Sequence, residues 1–226
     1  TVTAGIKENN YLGKGIKLTT NLSVSEDQLK GRFSVVNPNF KNTDRSINTT
    51  LESTSSDFLS TGGFKTSRTG LGIGTGFEQY EDFYVNLNIS AYYEKLETSS
   101  TASAFKKKQE GDYIENLITY SLTLNKLDQN YQPTAGHLLS FNQELPIYSD
   151  DLSLGNTLNF LKYHSVSDNL ILSGKFFFKA VNSIDDDVRV SRRVYIPSSK
   201  LRGFESGKFG PKDGTEYVGG NFGSAL

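Results

Sequence analysis

Phe83-Tyr84-Val85-Asn86-Leu87-Asn88-Ile89-Ser90-Ala91-Tyr92-Tyr93 is the stretch on which the reading of this chain turns. Taking every second residue separates it into two faces. Phe83, Val85, Leu87, Ile89, Ala91 and Tyr93 make one, apolar with an aromatic ring at each end. Tyr84, Asn86, Asn88, Ser90 and Tyr92 make the other, polar through its middle. A period of two marks an extended strand whose faces meet different surroundings. At a rise of ~3.3 Å per residue, a tilted run of this length can cross the hydrocarbon core of a bilayer.

The same alternation recurs along the chain. Ile16, Leu18, Leu22 and Val24 alternate with Lys17, Thr19, Asn21 and Ser23. Ile114, Ile118, Tyr120, Leu122 and Leu124 alternate with Glu115, Thr119, Ser121, Thr123 and Asn125. Two further runs follow, Leu152 to Phe160 and Leu170 to Ala180, and weaker ones lie at 2–10, 29–37, 46–54, 66–77 and 137–145. The pattern predicts about ten strands with the start of another at 220–226, and no helical period. Spans of ~10 residues exceed the five or six usual in soluble sheets and suit a barrel wall. Compact connectors (Asn10–Gly15, Glu78–Asp82, His164–Asn169) alternate with longer ones (55–65, 94–111, 181–219). Turns at one rim and loops at the other belong to outer-membrane barrels. The fold expected is therefore all-β, an antiparallel transmembrane β-barrel, with residues 1–226 in one domain. Its last loop, about 37 residues, is long enough to carry a function. A soluble β-sandwich used for adhesion would give the same alternation on shorter strands.

Composition narrows the classes. None of the 226 residues is methionine or cysteine, and the net charge is −1. A chain without methionine and without a secretory leader is expected to be a piece of a longer precursor. Lack of cysteine rules out a disulfide scaffold, a thiolate metal site and a cysteine nucleophile. The charge gives no basic field for nucleic acid, so none is expected as a partner. No run approaches ~18 apolar residues, which rules out a helical membrane protein but not a barrel. With no tryptophan, the 12 tyrosines and 15 phenylalanines are left to supply an interfacial girdle.

Candidate chemistry is sparse. Gly70, Gly72, Gly74 and Gly76 lack the spacing of a dinucleotide loop. They share one face of a strand, as a smooth interior stripe with room for something packed in the lumen. His137 and His164 sit in no metal-binding spacing. Asp185–Asp186–Asp187 lacks the alternation of a calcium loop, and Lys106–Lys107–Lys108, which could touch lipid phosphates, reads as an exposed loop tip. No nucleophile elbow or Walker motif occurs, so neither an enzyme nor a cofactor is expected. The informative segment is the last loop, with Leu201–Arg202–Gly203–Phe204, Phe209–Gly210–Pro211 and Val218–Gly219–Gly220–Asn221. Folded into the lumen, Arg202 would offer a five-donor fork to a carboxylate on the opposite wall. Gly203 would permit the tight backbone and Phe204 an apolar anchor. Left outside, the same loop is simply solvated.

These residues resemble the BamA family of outer-membrane assembly factors. Leu201–Arg202–Gly203–Phe204 is similar to the family's Val-Arg-Gly-Phe/Tyr loop, with leucine in place of valine, and Gly219–Gly220–Asn221 to the Gly-Gly-Asn that opens the next strand. Asn9–Gly15, Ser34–Phe40 and the run from Asn125 through Tyr131, Pro133 and Thr134 to Gly136 resemble three of its turns, in the same order. The resemblance implies a sixteen-stranded barrel in the bacterial outer membrane, with strands two to twelve in this chain. The final strands and the POTRA repeats would lie outside it. It also implies a non-enzymatic role: inserting barrel proteins by strand addition at a lateral gate, with Arg202 paired to an acidic residue on a later strand. Unfolded outer-membrane clients, outer-membrane lipids and accessory assembly lipoproteins are the implied partners. A two-partner secretion or TamA-like translocation barrel is the alternative.

Overall fold

The computed structural model describes residues 1–60, 63–167, 169–185, 187–197, 199–201, 203–204 and 208–226. Ten strands follow one another as an up-and-down meander: β1 (Val2–Tyr11), β2 (Ile16–Val24), β3 (Gln28–Asn37), β4 (Ser46–Phe58), β5 (Phe64–Tyr80), β6 (Phe83–Thr98), β7 (Gly111–Asn125), β8 (Gly136–Pro146), β9 (Ser153–Ser167) and β10 (Leu170–Ser183). A small hairpin, β11 (Lys212–Asp213) with β12 (Glu216–Tyr217), stands apart from them. After it the chain returns as β13 (Phe222–Ala225) beside β10, completing an 11-stranded sheet in which every described pairing is antiparallel.

The register gives the two faces opposite surroundings. Leu71, Ile73, Leu87, Ile89 and Ile114 point outward, and Ile89 is 60% exposed. A soluble protein does not leave a contiguous apolar wall of this kind in water. On the other face Gly72, Gly74 and Gly76 are buried, opposite Ser90, Asn88 and Asn86 of β6. A Cβ on Gly74 would lie 2.7 Å from Asn48 Oδ1, and one on Gly70 would collide with the Tyr92 ring. The room left by the glycine stripe is thus taken by side chains of β4 and β6. It is not an open berth for a loop.

Two of the longer connectors are shorter than the alternation suggests. β4 and β5 pair out to Phe58 and Phe64, and β6 and β7 out to Leu96 and Gly111. Beyond the apolar band both faces meet polar surroundings, so alternation fades while backbone pairing continues. Cross-strand polar pairs replace it, such as Ser53 Oγ and Thr69 Oγ1 at 2.7 Å. Of the Lys106–Lys108 run, Lys107 and Lys108 are exposed as expected, but Lys106 is fully buried: it sits in a one-turn helix, Ala104–Lys107, capped by Ser103.

Three turns that carry the family resemblance lie on one rim, each fixed by a side chain. Asn10 Oδ1 accepts from the Gly15 N–H at 2.7 Å. Asn37 Oδ1 accepts from the Asn39 N–H at 3.2 Å. Asp128 accepts from the Thr134 hydroxyl at 2.6 Å, and Gly136 takes a φ of 98° where a Cβ would strike the Lys126 carbonyl. Short polar side chains bonded to nearby backbone are the means by which tight turns are specified.

Candidate functional site: a loop docked on the inner wall

After Ser183 the chain turns back over the inner face. The stretch Val188-Arg189-Val190-Ser191-Arg192-Arg193-Val194 lies against the wall at the loop-side ends of the strands. Its valines are all buried. Val190 packs with Phe64 and Leu96, flanked by Phe58 and Tyr113, while Val188 and Val194 pack with Val181. The Val190 N–H donates to Gln109 Oε1 at 2.8 Å.

Between the two apolar contacts Arg189 enters a cluster of carboxylates, leaving its side chain 4% exposed. Its Nη2 donates to Glu94 Oε2 at 3.1 Å and to Glu115 Oε1. Its Nε lies 3.0 Å from Ser191 Oγ and 3.6 Å from Asp151 Oδ2, and its guanidinium stacks 4.0 Å above the Tyr113 ring. Glu115 also accepts from Arg68 Nη2 at 3.0 Å, and Arg68 in turn lies 3.6 Å over Tyr92. Arg192 Nη2 reaches Glu144 Oε2 at 2.9 Å. Three guanidiniums (Arg68, Arg189, Arg192) thus meet four carboxylates (Glu94, Glu115, Glu144, Asp151). Ion pairing offsets the burial of these charges, while Arg68 Nε, Arg189 Nη1 and Asp151 Oδ2 are buried without a hydrogen-bond partner among the described residues. The coulombic pull of Glu115 and Glu144 outweighs desolvation at Arg192 and holds it charged. Burial pushes the nearby Tyr195 hydroxyl up to about 12.

Glycines close the base of the loop. Val194 forms an antiparallel bridge with Gly220, with N···O distances of 2.7 and 3.0 Å. Gly219 takes a φ of 70°, and a Cβ there would lie 2.9 Å from the Tyr195 ring. The Asn221 carbonyl accepts from the Val181 N–H at 2.7 Å, which starts β13 on β10. Gly219, Gly220 and Asn221 therefore hold the loop's base together. Farther out, Gly203 has a φ of 85° with nothing near the place of a Cβ, and Phe204 meets Phe209 edge-on at 5.4 Å. Leu201 is partly buried, whereas Arg202 lies outside the described residues.

Sequence reasoning singled out Arg202 and passed over Arg189. The signal was present: three valines and three arginines within residues 188–194 do not suit a solvated loop. What sequence could not supply was the register that brings Glu94 and Glu115 side by side at one end of the wall. Asp187, read as part of a solvated run, accepts from Arg193 Nη2 at 2.7 Å.

An apolar exterior, a polar interior and a long loop locked to that interior by buried arginine define a class: an antiparallel membrane β-barrel with an occupied lumen. The chain belongs to the Omp85 superfamily, whose domain model matches residues 10–223. It is 25% identical to the sorting and assembly machinery component 50 homolog of Bos taurus, over 96% of this chain and 47% of that protein. It is 29% identical to the outer membrane protein assembly factor BamA of Nitratidesulfovibrio vulgaris, over 54% of this chain and 16% of that protein. The crystal structure of BamA from Haemophilus ducreyi lacking POTRA domains 1–3 superposes with a TM-score of 0.86. At 21% identity it covers 98% of this chain and 48% of its own. The chain thus spans about half the length of the curated relatives it matches most fully.

Proposed function

We propose that this chain forms most of the wall and the lumenal loop of a barrel that inserts β-barrel proteins into the bacterial outer membrane. By resemblance it supplies strands two to twelve of sixteen, with POTRA repeats preceding them. The observation that carries the reading is the docked loop, in a chain whose Omp85 match runs through it. The chemistry is non-covalent. A client precursor pairs with an opened edge strand, and each added strand satisfies backbone groups that would be stranded in lipid at several kcal/mol apiece. Client folding supplies the free energy. Arg202 pairs with a carboxylate on a later strand and braces the loop's tip, while Arg189 braces its base. Unfolded clients, surrounding lipids and accessory lipoproteins are the partners.

The test is client insertion by the full-length protein reconstituted in vesicles. Vesicles carrying it should fold an added barrel client faster than empty ones, and Arg202→Ala should lower the stability of the barrel, read by heat-modifiable migration, or slow that rate. Equal rates with and without the protein would sink the assembly role. An Arg202→Ala variant as fast and as stable as the parent would remove Arg202 from the mechanism.

A further inference from the structure

The connector from β8 to β9, residues 147–152, runs from the outer face of the wall to the ion cluster inside it. β8 stops at Pro146, opposite Leu117, while β7 extends to Gly111. The connector covers part of that remaining edge with bonds of its own. The Ile147 N–H donates to the Asn116 carbonyl and the Asp150 N–H to the Ile114 carbonyl, each at 2.9 Å. In return Asp150 Oδ2 accepts from the Ile114 N–H at 2.6 Å, and Ser149 Oγ from the Asn116 N–H at 2.9 Å. Tyr148 and Ser149 are left as a bulge between these anchor points. The Asn116 side chain, on the lipid face with Ile114 and Ile118, donates to the Tyr148 carbonyl and keeps the bulge on the outer side. Both apolar side chains turn away from the wall: Tyr148 is 90% exposed and Ile147 44%. Asp151, by contrast, lies inside. One of its oxygens accepts from the Ser153 hydroxyl, and the other faces Arg189 Nε at 3.6 Å. The Leu152 carbonyl then accepts from the Ile184 N–H at 3.0 Å, at the start of the docked loop.

Depth selects what meets the exposed pair. Leu124 pairs with Phe83 at the turn-side end of the apolar band. From Leu124 to Asn116 is about 26 Å along β7, or about 20 Å along the membrane normal at a tilt of ~40°. The outward apolar band of such a barrel is about 25 Å tall. Ile147, bonded beside Asn116, therefore stands at the loop-side margin of the lipid face, continuous with Ile118 and Leu145 below it. A tyrosine at that level lays its ring against acyl chains and leaves its hydroxyl in the polar layer. The inner end of the connector needs such a seat. Glu94 and Glu115 are held by paired strands, whereas Asp151 lies on the connector, and its Oδ2 has no hydrogen-bond partner among the described residues. Its distance from Arg189 thus depends on where the connector is held. We propose that Ile147 and Tyr148 seat the connector in the interface of the loop-side leaflet, and that this seat holds Asp151 against Arg189. Tyr148 is then a positioning residue that acts through Asp151, and the membrane itself helps set the base of the docked loop. The proposal rests on the membrane-barrel reading above.

The experiment uses the full-length protein in phospholipid vesicles, with heat-modifiable migration confirming that each variant is a barrel. Seating is read from a fluorophore attached through Tyr148→Cys or Ile89→Cys, quenched by lipids carrying a nitroxide near the carbonyl end or near the methyl end of the acyl chain. The label at 148 should be quenched best by the shallow nitroxide and the label at 89 by the deep one. Coupling is read from trypsin cleavage after Arg192 and Arg193. Tyr148→Ser should quicken it about fivefold, whereas Tyr148→Trp, which keeps an interfacial ring, should stay at the parent rate. In an Asp151→Asn background the same Tyr148→Ser change should alter the rate by less than about twofold, because the two residues act in series. A label at 148 that neither nitroxide quenches, beside a label at 89 that is quenched, overturns the seat. An unchanged rate in Tyr148→Ser, or a full fivefold effect retained in Asp151→Asn, overturns the coupling and the proposal with it. If the label at 89 is not quenched either, the barrel reading fails and the seat fails with it.

Discussion

Arg189→Met is the substitution that probes the docked loop most directly. Methionine keeps much of the stem's bulk and removes the guanidinium, so the change isolates charge. In the parent the side chain is 4% exposed and bonds Glu94 and Glu115, with Asp151 at 3.6 Å. Removing one member of a buried ion cluster costs about 3–5 kcal/mol, because the carboxylates stay behind unpaired. Glu115 keeps Arg68 at 3.0 Å, so the lower end, about 3 kcal/mol, is the better figure. That corresponds to roughly a hundredfold larger population in which residues 187–194 leave the wall. Trypsin reads the population, since the bonds after Arg192 and Arg193 remain in the variant and are cleaved only when the segment opens. In full-length protein in vesicles, cleavage there should quicken by about two orders of magnitude. Adding Glu94→Gln neutralises one stranded carboxylate and should recover about tenfold of that. If Arg189→Met is cut within about threefold of the parent rate, the buried cluster does not hold the loop, and the valine contacts alone must do so.

Other perturbations test the wall. Gly70→Leu places a side chain into the Tyr92 ring and the Ala91 carbonyl, and should cost about 1–3 kcal/mol of barrel stability, read as a lower temperature of heat-modifiable conversion. Ile89→Arg puts a charge in the middle of the lipid face, where the residue is 60% exposed. It should cost about 2–4 kcal/mol and lower the yield of refolding into vesicles, whereas refolding at parent yield would argue for a soluble sheet. At Asp128 the Thr134 hydroxyl, aided by backbone N–H groups, holds the carboxyl below the usual carboxylate range. The folded value lies below the unfolded one, so this turn is fully braced above about pH 4 and loosens as pH falls through the folded value. Hydrogen exchange at the Thr134 amide should therefore gain protection with rising pH and then level off, once intrinsic rates are corrected for.

The wall was legible because lipid and lumen impose opposite requirements on alternate residues. Phe83 to Tyr93 carries that contrast without interruption, and each run identified by alternation is a strand of the sheet. Legibility stopped where the contrast stopped. Ser55 and Ser56, or Glu94 to Thr98, lie past the apolar band, so nothing in their side chains announced that pairing continues. Glu94 and Glu115 could be seen as polar-face residues near strand ends. Their meeting depends on the register Glu115↔Tyr92, which puts Glu94 one polar-face position farther along β6. Lys106 misled for a different reason: three consecutive lysines read as solvated, yet the capped helical turn carries the first of them inward.

An ion cluster is an unexpected choice for an anchor, since apolar side chains of similar size often hold as well or better. The surroundings supply a reason. Val188, Val190 and Val194 already provide burial, but three small valines would fit many offsets along a wall. Carboxylates on β6, on β7 and in the segment before β9 converge on one guanidinium, and they are met at a single offset. The cluster thus fixes the register of residues 187–194, as buried polar groups fix register in other assemblies. The Val194–Gly220 bridge then makes the intervening loop a closed excursion with a fixed base, and the hairpin at Lys212–Asp213 and Glu216–Tyr217 shortens its return limb. The described residues farther out, Leu201, Gly203 and Phe204, consequently follow from a fixed point on the wall. For a loop proposed to brace strands beyond this sheet, that fixed base sets where its long excursion begins and returns.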